Sequence, residues 1–273
     1  MTMQALEAHT TVNRRNEGQT NEARNLTPTQ WSHVLSTDSS PMRFAEMLVG
    51  RGPVVPWTKL LLQHTQDCDT VLDLGSGRGD HSALLARAGR RPTLMDWSPQ
   101  NVEFSRRVFA ACGVAGQFCV GDLTRPLPFA SNSVDAVFSC GVLEYFDRPQ
   151  VAAIIGEAFR VARRRVIVLV PNAFSVAYRV GKWYMERTGA WTWGGEVPSY
   201  SLKRIFDQAG AVRTTELTVA ARHSLDFLVM PFGDQIKRAC IRVLRMRHHV
   251  QPAWARQGYL LVTIGEKEHE NRS

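Results

Sequence analysis

Short apolar segments alternate with amphipathic helical stretches through the centre of the chain. The predicted strands cover residues 71–74 (β1), 93–96 (β2), 117–120 (β3), 132–139 (β4) and 165–170 (β5). Helical spacing of apolar residues follows at 84–88, 101–109 and 151–162. Continuous apolar runs of this length are typical of buried parallel strands. The alternation predicts parallel pairing through right-handed crossovers, and therefore a doubly wound α/β sheet with helices on both faces.

An insertion rich in aromatic side chains follows β5, before a predicted helix at 201–208 and strands at 212–219 (β6) and 259–264 (β7). Its aromatic residues are Phe174, Tyr178, Trp183, Tyr184, Trp191, Trp193 and Tyr200. Such an insertion suits an apolar wall over a pocket, although a helical subdomain with its own small core would use the same residues. We predict that Trp183, Trp193 and Glu196 line a substrate pocket.

Two helices are predicted ahead of the sheet from their capping residues. Thr27 can cap the first helix, with proline following it and Gln30 reaching back. Ser40 repeats this arrangement for the second helix, which is expected to end at Gly50. Trp31 in the first helix is a further candidate for the substrate pocket.

The C-terminal third holds a basic amphipathic stretch within residues 225–250. Helical spacing from Asp234 onward separates an apolar face of Ile236, Ala239, Cys240 and Val243 from a basic face of Arg238, Arg242 and Arg245. With the apolar residues 227–232 before it, this helix could rest on an anionic membrane and deliver a lipid-like substrate. The solvated outer face of a packed helix is the alternative explanation.

Length and composition fit one large domain with additions. The net charge of +8 suits a polyanionic partner, an anionic membrane surface or simple solubility. No run of eighteen apolar residues occurs, the N-terminus lacks a secretory pattern, and the five cysteines are scattered without Cys-x-x-Cys spacing. We therefore expect no metal site and a cytoplasmic protein, with peripheral membrane contact as the open alternative.

The predicted domain organisation places helices before a single sheet domain. Its parts are a disordered tail (1–25), cap helices (26–66, the last of them at 57–64), the sheet domain (67–267, with insertions at 172–200 and 223–256) and a short tail (268–273).

A glycine-rich turn follows β1, with the sequence Asp-Leu-Gly-Ser-Gly-Arg-Gly-Asp over residues 73–80. Alternate glycines allow a tight turn that brings backbone N–H groups, and the positive end of the next helix, close to a ligand. The nicotinamide fingerprint Gly-x-Gly-x-x-Gly fails because Asp80 occupies its third glycine position. Asp73, two residues before the first glycine, would repel a pyrophosphate but could pair with an amino group or hold the loop.

This turn resembles the first motif of the class I S-adenosylmethionine (SAM)-dependent methyltransferases. Later landmarks match that family in order: Asp96 at the end of β2, Gly121-Asp122-Leu123 after β3, residues 132–139 and then 140–146 around β4, and Pro171-Asn172 after β5. The resemblance implies the strand order 3-2-1-4-5-7-6 with β7 antiparallel. It also implies SAM as the cofactor and S-adenosylhomocysteine as the product, within the type 11-like small-molecule group.

The resemblance implies a set of cofactor-binding residues at the strand ends. In the family, the acid at Asp96 holds the ribose hydroxyls, the residue at Trp97 packs on the adenine ring, and the acid at Asp122 faces the adenine amino group. The full predicted set is Asp73, Gly75, Ser76, Gly77, Gly79, Asp96, Trp97, Asp122, Leu123 and Cys140. Asp135, near the start of β4, is expected only to shape its turn.

No residue stands out as the catalytic base. The candidates by location are Glu144, Tyr145, His81 and His223. Tyr145 is also a candidate for the substrate pocket, and many relatives carry a histidine at its position. For Glu144 a structural hydrogen bond is the alternative role. Transfer to an O, N or C atom needs a base only when the nucleophile must lose a proton.

The acceptor class is predicted from the aromatic insertion and from absent motifs. No Asp/Asn-Pro-Pro-Tyr/Phe or Pro-Cys motif of nucleic-acid methyltransferases occurs, and no RNA-binding module is recognisable, so no nucleic-acid partner is expected. A small or lipid-like acceptor is favoured. An RNA or protein methyltransferase, and a SAM-binding scaffold or sensor without transfer activity, stay open as alternatives.

Overall fold

The computed structural model describes residues 40–51, 55–246 and 256–268, together with Thr27 and Gln30. It contains a seven-stranded sheet of order β3-β2-β1-β4-β5-β7-β6. Strands β1 to β5 pair in parallel, whereas β7 runs antiparallel between β5 and β6. The predicted fold class and strand order are therefore confirmed. Among the described residues, no helix combines the length and apolar character needed to cross a membrane.

The elements lie close to their predicted positions. The strands are β1 (Thr70–Leu74), β2 (Arg91–Asp96), β3 (Gln117–Val120), β4 (Val134–Cys140), β5 (Ala162–Pro171), β6 (Arg213–Val219) and β7 (Leu260–Glu266). The helices are α1 (Pro41–Arg51), α2 (Pro56–His64), α3 (Asp80–Arg87), α4 (Pro99–Cys112), α5 (Arg148–Val161), α6 (Val176–Thr188), α7 (Lys203–Gln208), α8 (Ala221–Ser224) and α9 (Gly233–Met246), with 3₁₀ turns at Leu143–Tyr145 and Leu225–Phe227.

Both faces of the sheet are buried, as the continuous apolar strands require. Successive residues of β1 serve opposite faces: Leu72 and Leu74 belong to the core beneath α5 and α7, whereas Val71 belongs to the core beneath α2 and α3. A third cluster joins α1 to α3 and α4, where the Phe44 and Phe104 rings meet edge to face at 6.0 Å. Helix α1 therefore covers the same side of the sheet as the glycine turn.

Capping residues explain several helix starts. Asp147 and Gln150 form a capping box at the start of α5, and Ser98 caps α4. The predicted exchange between Thr27 and Gln30 is confirmed, with N···O distances of 2.7 and 3.3 Å. The rest of the predicted first helix, including Trp31, lies outside the described residues.

The expected end of helix α1 at Gly50 was wrong by a residue. The helix continues through Gly50 to Arg51, and a Cβ at Gly50 would meet no atom within 4 Å. This glycine therefore sits in an ordinary helical conformation and does not terminate the helix by a left-handed turn.

The two insertions differ in how they pack. Helix α6 of the aromatic insertion is anchored by Tyr178, which is fully buried and meets Phe227 and Tyr259 edge to face or tilted. Helix α9 has the predicted helical conformation but exposes much of its apolar side, including Ile236. Side chains from 243 to 246 and residues 247–255 lie outside the described set.

Candidate functional site

One cleft of about 500 Å³ opens at the carboxyl ends of the central strands. The chain order reverses between β1 and β4, and ligands of such sheets bind at this switch point. A volume of this size is typical of small-molecule sites. The cleft has two halves, which we name by their residues. The strand-tip half comprises Asp73, Gly75, Ser76, Gly77, Asp96 and Asp122, and the aromatic half comprises Trp57, Glu144, Tyr145, Trp191, Trp193, Glu196 and Tyr259.

The glycine turn is held to β2 by its own backbone. The N–H groups of Gly75 and Ser76 donate to the Met95 carbonyl at 2.8 and 3.1 Å, and Gly77 donates to Asp96 Oδ2 at 2.9 Å. These three N–H groups are therefore already paired within the protein, while Gly75, Ser76 and Gly77 line the cleft with their backbone. Gly75 has φ +75°, and a Cβ there would come within 2.5 Å of Val142. The turn thus brings main chain, without side-chain bulk, against the cleft.

Asp96 fixes the turn and the following helix at the same time. Besides Gly77, its carboxylate accepts from the Ser98 N–H at 2.9 Å and the Asn101 amide at 3.2 Å. Burial raises the pKa of Asp96, and these hydrogen bonds oppose the rise. Asp96 therefore combines a fixed position at the tip of β2 with access to the cleft.

Asp73 and Ser76 bring polar atoms to the deep end of the strand-tip half. The Ser82 hydroxyl donates to Asp73 at 2.7 Å, and burial raises the pKa of this carboxyl to about 8. Ser76 is 8% exposed, and its hydroxyl has no hydrogen-bond partner among the described residues. The Ser76 hydroxyl therefore has its hydrogen-bonding capacity left for a group that enters the cleft.

The other predicted cofactor residues surround this half. Trp97 (40% exposed), Asp122, Leu123 and Cys140 all line the cleft, and Asp122 is oriented by the Thr124 N–H and hydroxyl. Gly79 does not line it. A Cβ at Gly79 would press on Leu94 and Ser105 at about 3 Å, so this glycine serves packing between the turn and helix α4.

Two carboxyl groups lie in the aromatic half. Glu196 accepts from the hydroxyls of Tyr178 and Tyr145, the second at 3.3 Å. Glu144 follows β4 in the Leu143–Tyr145 turn and is 4% exposed. Burial, and then the charge of Glu196, raise the pKa of Glu144 well above its usual range. Burial also raises the pKa of Glu196. These are the shifts expected of paired acids in a desolvated pocket.

Several sequence-based site predictions need correction. Trp183 is 54% exposed beside Arg187 and does not line the cleft. His223 does not line it either, because its ring packs edge-on against Trp57 at 5.5 Å. His81 does line it, with Nδ1 2.9 Å from the Thr58 hydroxyl.

Sequence analysis missed several aromatic residues that line the cleft, among them Trp57, Trp191 and Tyr259. Trp57 and Tyr259 come from opposite ends of the chain, and only the strand order β1-β4-β5-β7 brings them together. Trp191 was recognised as part of the aromatic insertion, but the sequence of the insertion does not show which of its rings face the cleft. Its indole N–H donates to the Gly194 carbonyl at 2.9 Å, which orients the ring.

Asp135 has a structural role away from the cleft, but it joins the start of β4 to the start of β1 and does not only shape the turn before β4. It accepts from the N–H groups of Asp69 and Thr70 and the Thr70 hydroxyl, and pairs with Arg163 at 2.6 Å. Among the described residues, no group of three His, Cys, Asp or Glu side chains is arranged to hold a metal ion.

Comparisons with known proteins agree with this geometry. Residues 71–165 match the family model described as "Methyltransferase domain". A search of curated protein sequences found no match.

Solved structures resemble the fold at low identity. An O-methyltransferase family protein from Burkholderia thailandensis has a TM-score of 0.59 at 16% identity, covering 91% of this chain and 66% of its own. Magnesium protoporphyrin IX methyltransferase from Synechocystis, solved with bound S-adenosylhomocysteine, has a TM-score of 0.54 at 16% identity, with coverage of 88% and 94%. A possible histamine N-methyltransferase from Thermotoga maritima has a TM-score of 0.56 at 15% identity, with coverage of 89% and 100%.

Proposed function

Because this chain is a class I, Rossmann-like SAM-dependent methyltransferase, we propose that it methylates a small or lipid-like acceptor held in the aromatic half. The observation that carries the proposal is one continuous cleft, with strand-tip acids at one end and aromatic rings at the other. Residues 67–267 would form the catalytic domain, with the helices before them as a cap.

The strand-tip half fits SAM. Asp96 would hold the ribose hydroxyls, Trp97 and Asp122 the adenine, and Asp73 and Ser76 the methionine end. The partnerless Ser76 hydroxyl and the turn at Gly75, where a side chain would clash, both favour a ligand there. When bound, SAM supplies an electrophilic methyl carbon on a sulfonium. The protein would then bind and orient the reacting groups and exclude water from them. Alignment of this kind can lower the reaction barrier by on the order of 7–11 kcal/mol.

A small apolar acceptor fits the aromatic half better than a polymer does. Trp57, Trp191 and Tyr259 are half-buried rings that line the cleft together with the two buried glutamates, so an apolar group would find aromatic contacts at the acceptor end. The Synechocystis enzyme is named for magnesium protoporphyrin IX and the Thermotoga protein as a possible histamine N-methyltransferase, and both named acceptors are small molecules, which supports the same class here. RNA and protein acceptors are the second candidate, because the chain carries a net charge of +8.

Incubation with methyl-labelled SAM and fractionated host extract tests the proposal. We expect label in the small-molecule or lipid pool, and none when the Asp96→Ala variant replaces the wild type. Label in the RNA or protein pool would support the second candidate. Tight SAM binding with no labelled pool would support a scaffold or sensor.

Helix α9 supports a location at a membrane surface. Its apolar lead-in exposes Phe232 (74%) and Val229 (55%), the helix itself exposes Ile236 (46%), and Arg238 and Arg242 of the same helix are also exposed. Exposed apolar side chains flanked by cations suit an anionic lipid interface. We propose a cytoplasmic enzyme in peripheral contact with the membrane through this helix.

Flotation with vesicles containing an anionic lipid tests this contact. Wild-type protein is expected to float at physiological salt, and Phe232→Glu to stay at the bottom. Val212→Glu, at a position 62% exposed outside this insertion, is the matched control and should float. If the wild-type protein does not float, the membrane proposal is contradicted, but the proposal of methyl transfer is not.

A further inference from the structure

We infer that the acceptor is an apolar amine, whose ammonium group binds against Glu144 and gives up a proton to it. This inference rests on the proposed function and names its substrate class. It makes Glu144 the residue that selects the acceptor by charge and prepares its nitrogen for methylation.

Glu144 has a buried carboxyl oxygen that the described residues leave without a partner. Its Oε2 atom accepts no hydrogen bond from the described residues, although the side chain is 96% buried and lines the cleft. Its backbone is fixed, because the Val197 N–H donates to the Glu144 carbonyl at 2.8 Å. An unpaired buried carboxyl oxygen is costly, so a donor from the ligand is the natural partner for this atom.

Glu196, by contrast, is already satisfied by the protein. Two tyrosine hydroxyls donate to it, and the charge of Lys182 stabilises its ionised form. Glu196 therefore contributes negative charge to the acceptor end, whereas Glu144 has an oxygen left for a ligand. The other titratable groups influenced by Glu144 are Tyr145, Tyr178, Tyr259 and Cys140, none of which is a cation.

The lining of the aromatic half fits a cation and opposes an anion. The cationic side chain that lines the cleft in the described structure is Arg78, and it lies over the Phe44 ring at 4.3 Å, at the strand-tip end. Indole and phenol rings attract ammonium groups by cation–π interaction. Trp191 already has the Lys182 ammonium 4.6 Å from its ring centre, so this indole is used as a cation platform within the fold. A carboxylate or phosphate acceptor would meet two glutamates instead.

The chemical step at Glu144 is a proton transfer. An N–H bond of the ammonium breaks, its electron pair stays on the nitrogen, and the proton joins a carboxylate oxygen of Glu144. The products are a neutral amine and a carboxylic acid, and the neutral amine is the form that accepts a methyl group. A carboxyl whose pKa burial has raised is a stronger base than an ordinary glutamate, which suits this task.

Calorimetric titration of three matched probes tests the inference. The probes are 2-phenylethylamine, 2-phenylethanol and phenylacetate, each titrated into protein saturated with S-adenosylhomocysteine. The wild type should bind the amine at least about tenfold more tightly than the alcohol, and phenylacetate weakest of the three. In Glu144→Gln, which keeps the shape and removes the charge, the preference for the amine should fall to about twofold or less.

Controls separate this inference from the proposed function. Glu103→Gln, at an exposed acid paired with Arg107 on helix α4, should keep the amine preference. Both variants should bind S-adenosylhomocysteine as the wild type does, which also shows that they are folded. Equal affinity for amine and alcohol in the wild type, including no detectable binding of either, overturns the inference, as does an unchanged preference in Glu144→Gln. Failure of the wild type to bind S-adenosylhomocysteine would instead overturn the proposed function.

Discussion

The two halves of the cleft are built by different means. Asp73 through Asp122 in the strand-tip half lie within fifty residues of sequence, each at or near the end of a strand. The aromatic half takes residues from Trp57 to Tyr259, across some two hundred positions, and these come from helix α2, from turns and from an insertion. In the proposed function, the sheet supplies a compact site for the cofactor, and the surrounding segments supply the acceptor site.

Their electrostatics differ as well. Asp96 receives three hydrogen bonds from the protein, and Asp73 receives one. Glu144, which is equally buried, has an oxygen that receives none from the described residues. The strand-tip acids are therefore preorganised by the fold, whereas Glu144 in the aromatic half has an oxygen left for a ligand. The following substitutions test that contrast, in order of expected effect.

Asp96→Ala should break the strand-tip half. It removes the proposed ribose acceptor and leaves the Gly77 and Ser98 N–H groups without their partner. We expect SAM and S-adenosylhomocysteine affinity to fall at least about 100-fold, or ~2.7 kcal/mol, by isothermal titration. Affinity within a few-fold of the wild type would contradict the ribose assignment.

Trp191→Ala should impair only the aromatic half. The indole lines the acceptor end and packs against Tyr178 and Phe227 at centroid distances of 6.5 and 6.3 Å. The affinity for 2-phenylethylamine should fall roughly tenfold, as expected for loss of an aromatic wall, while the affinity for S-adenosylhomocysteine stays within about twofold. A parallel loss of both affinities would show that the two halves are not independent.

Asp135→Asn should lower stability without affecting either half. Burial alone would raise the pKa of Asp135, but hydrogen bonds from Thr70 and Asp69 and the charge of Arg163 lower it overall. A lowered pKa means that the carboxylate stabilises the fold above its ordinary pKa, and that this contribution disappears as the pH falls through the folded-state value. Urea unfolding near neutral pH should show a loss of about 1–3 kcal/mol.

The stability loss in Asp135→Asn should also depend on pH. The difference in unfolding free energy between wild type and Asp135→Asn should shrink below the ordinary pKa range of aspartate, since the wild-type carboxyl is then protonated too. A difference that is constant with pH would contradict the ion pair with Arg163. SAM affinity should stay within about twofold, which makes this variant the folded-protein control for Asp96→Ala.

Trp183→Ala should have the smallest effect. The side chain is exposed, and its ring contact is with Arg187 on the same helix. Affinities for both ligands should stay within about twofold of the wild type. A loss as large as that of Trp191→Ala would restore the sequence-based placement of Trp183 in the pocket.

The sequence predicted the sheet well because its signals are local. Apolar runs bounded by glycines and acids mark buried parallel strands, and β1 and β2 were located to within a few residues. Helix ends were harder to predict. Gly50 was expected to end α1, but the helix continues through it. Sequence alone does not distinguish a glycine in a helical conformation from one in a left-handed turn.

The site could be predicted only where it coincides with strand ends. Asp73 lies near the end of β1, Asp96 is the last residue of β2, and Asp122 follows β3 by two residues, so topology alone brings them together. For the aromatic insertion, the inward faces depend on how helix α6 packs. Tyr178 is buried and Trp183, five positions later, is exposed, which no local pattern distinguished. Trp57 and Tyr259 required knowledge of the fold.

A crystal structure with S-adenosylhomocysteine and 2-phenylethylamine is the most direct test of a cleft divided between cofactor and acceptor. The account predicts the ribose hydroxyls on Asp96, and the amine nitrogen within hydrogen-bond distance of Glu144 among the rings of the aromatic half. Density for the nucleoside in the aromatic half, or for both ligands outside the cleft, would contradict it.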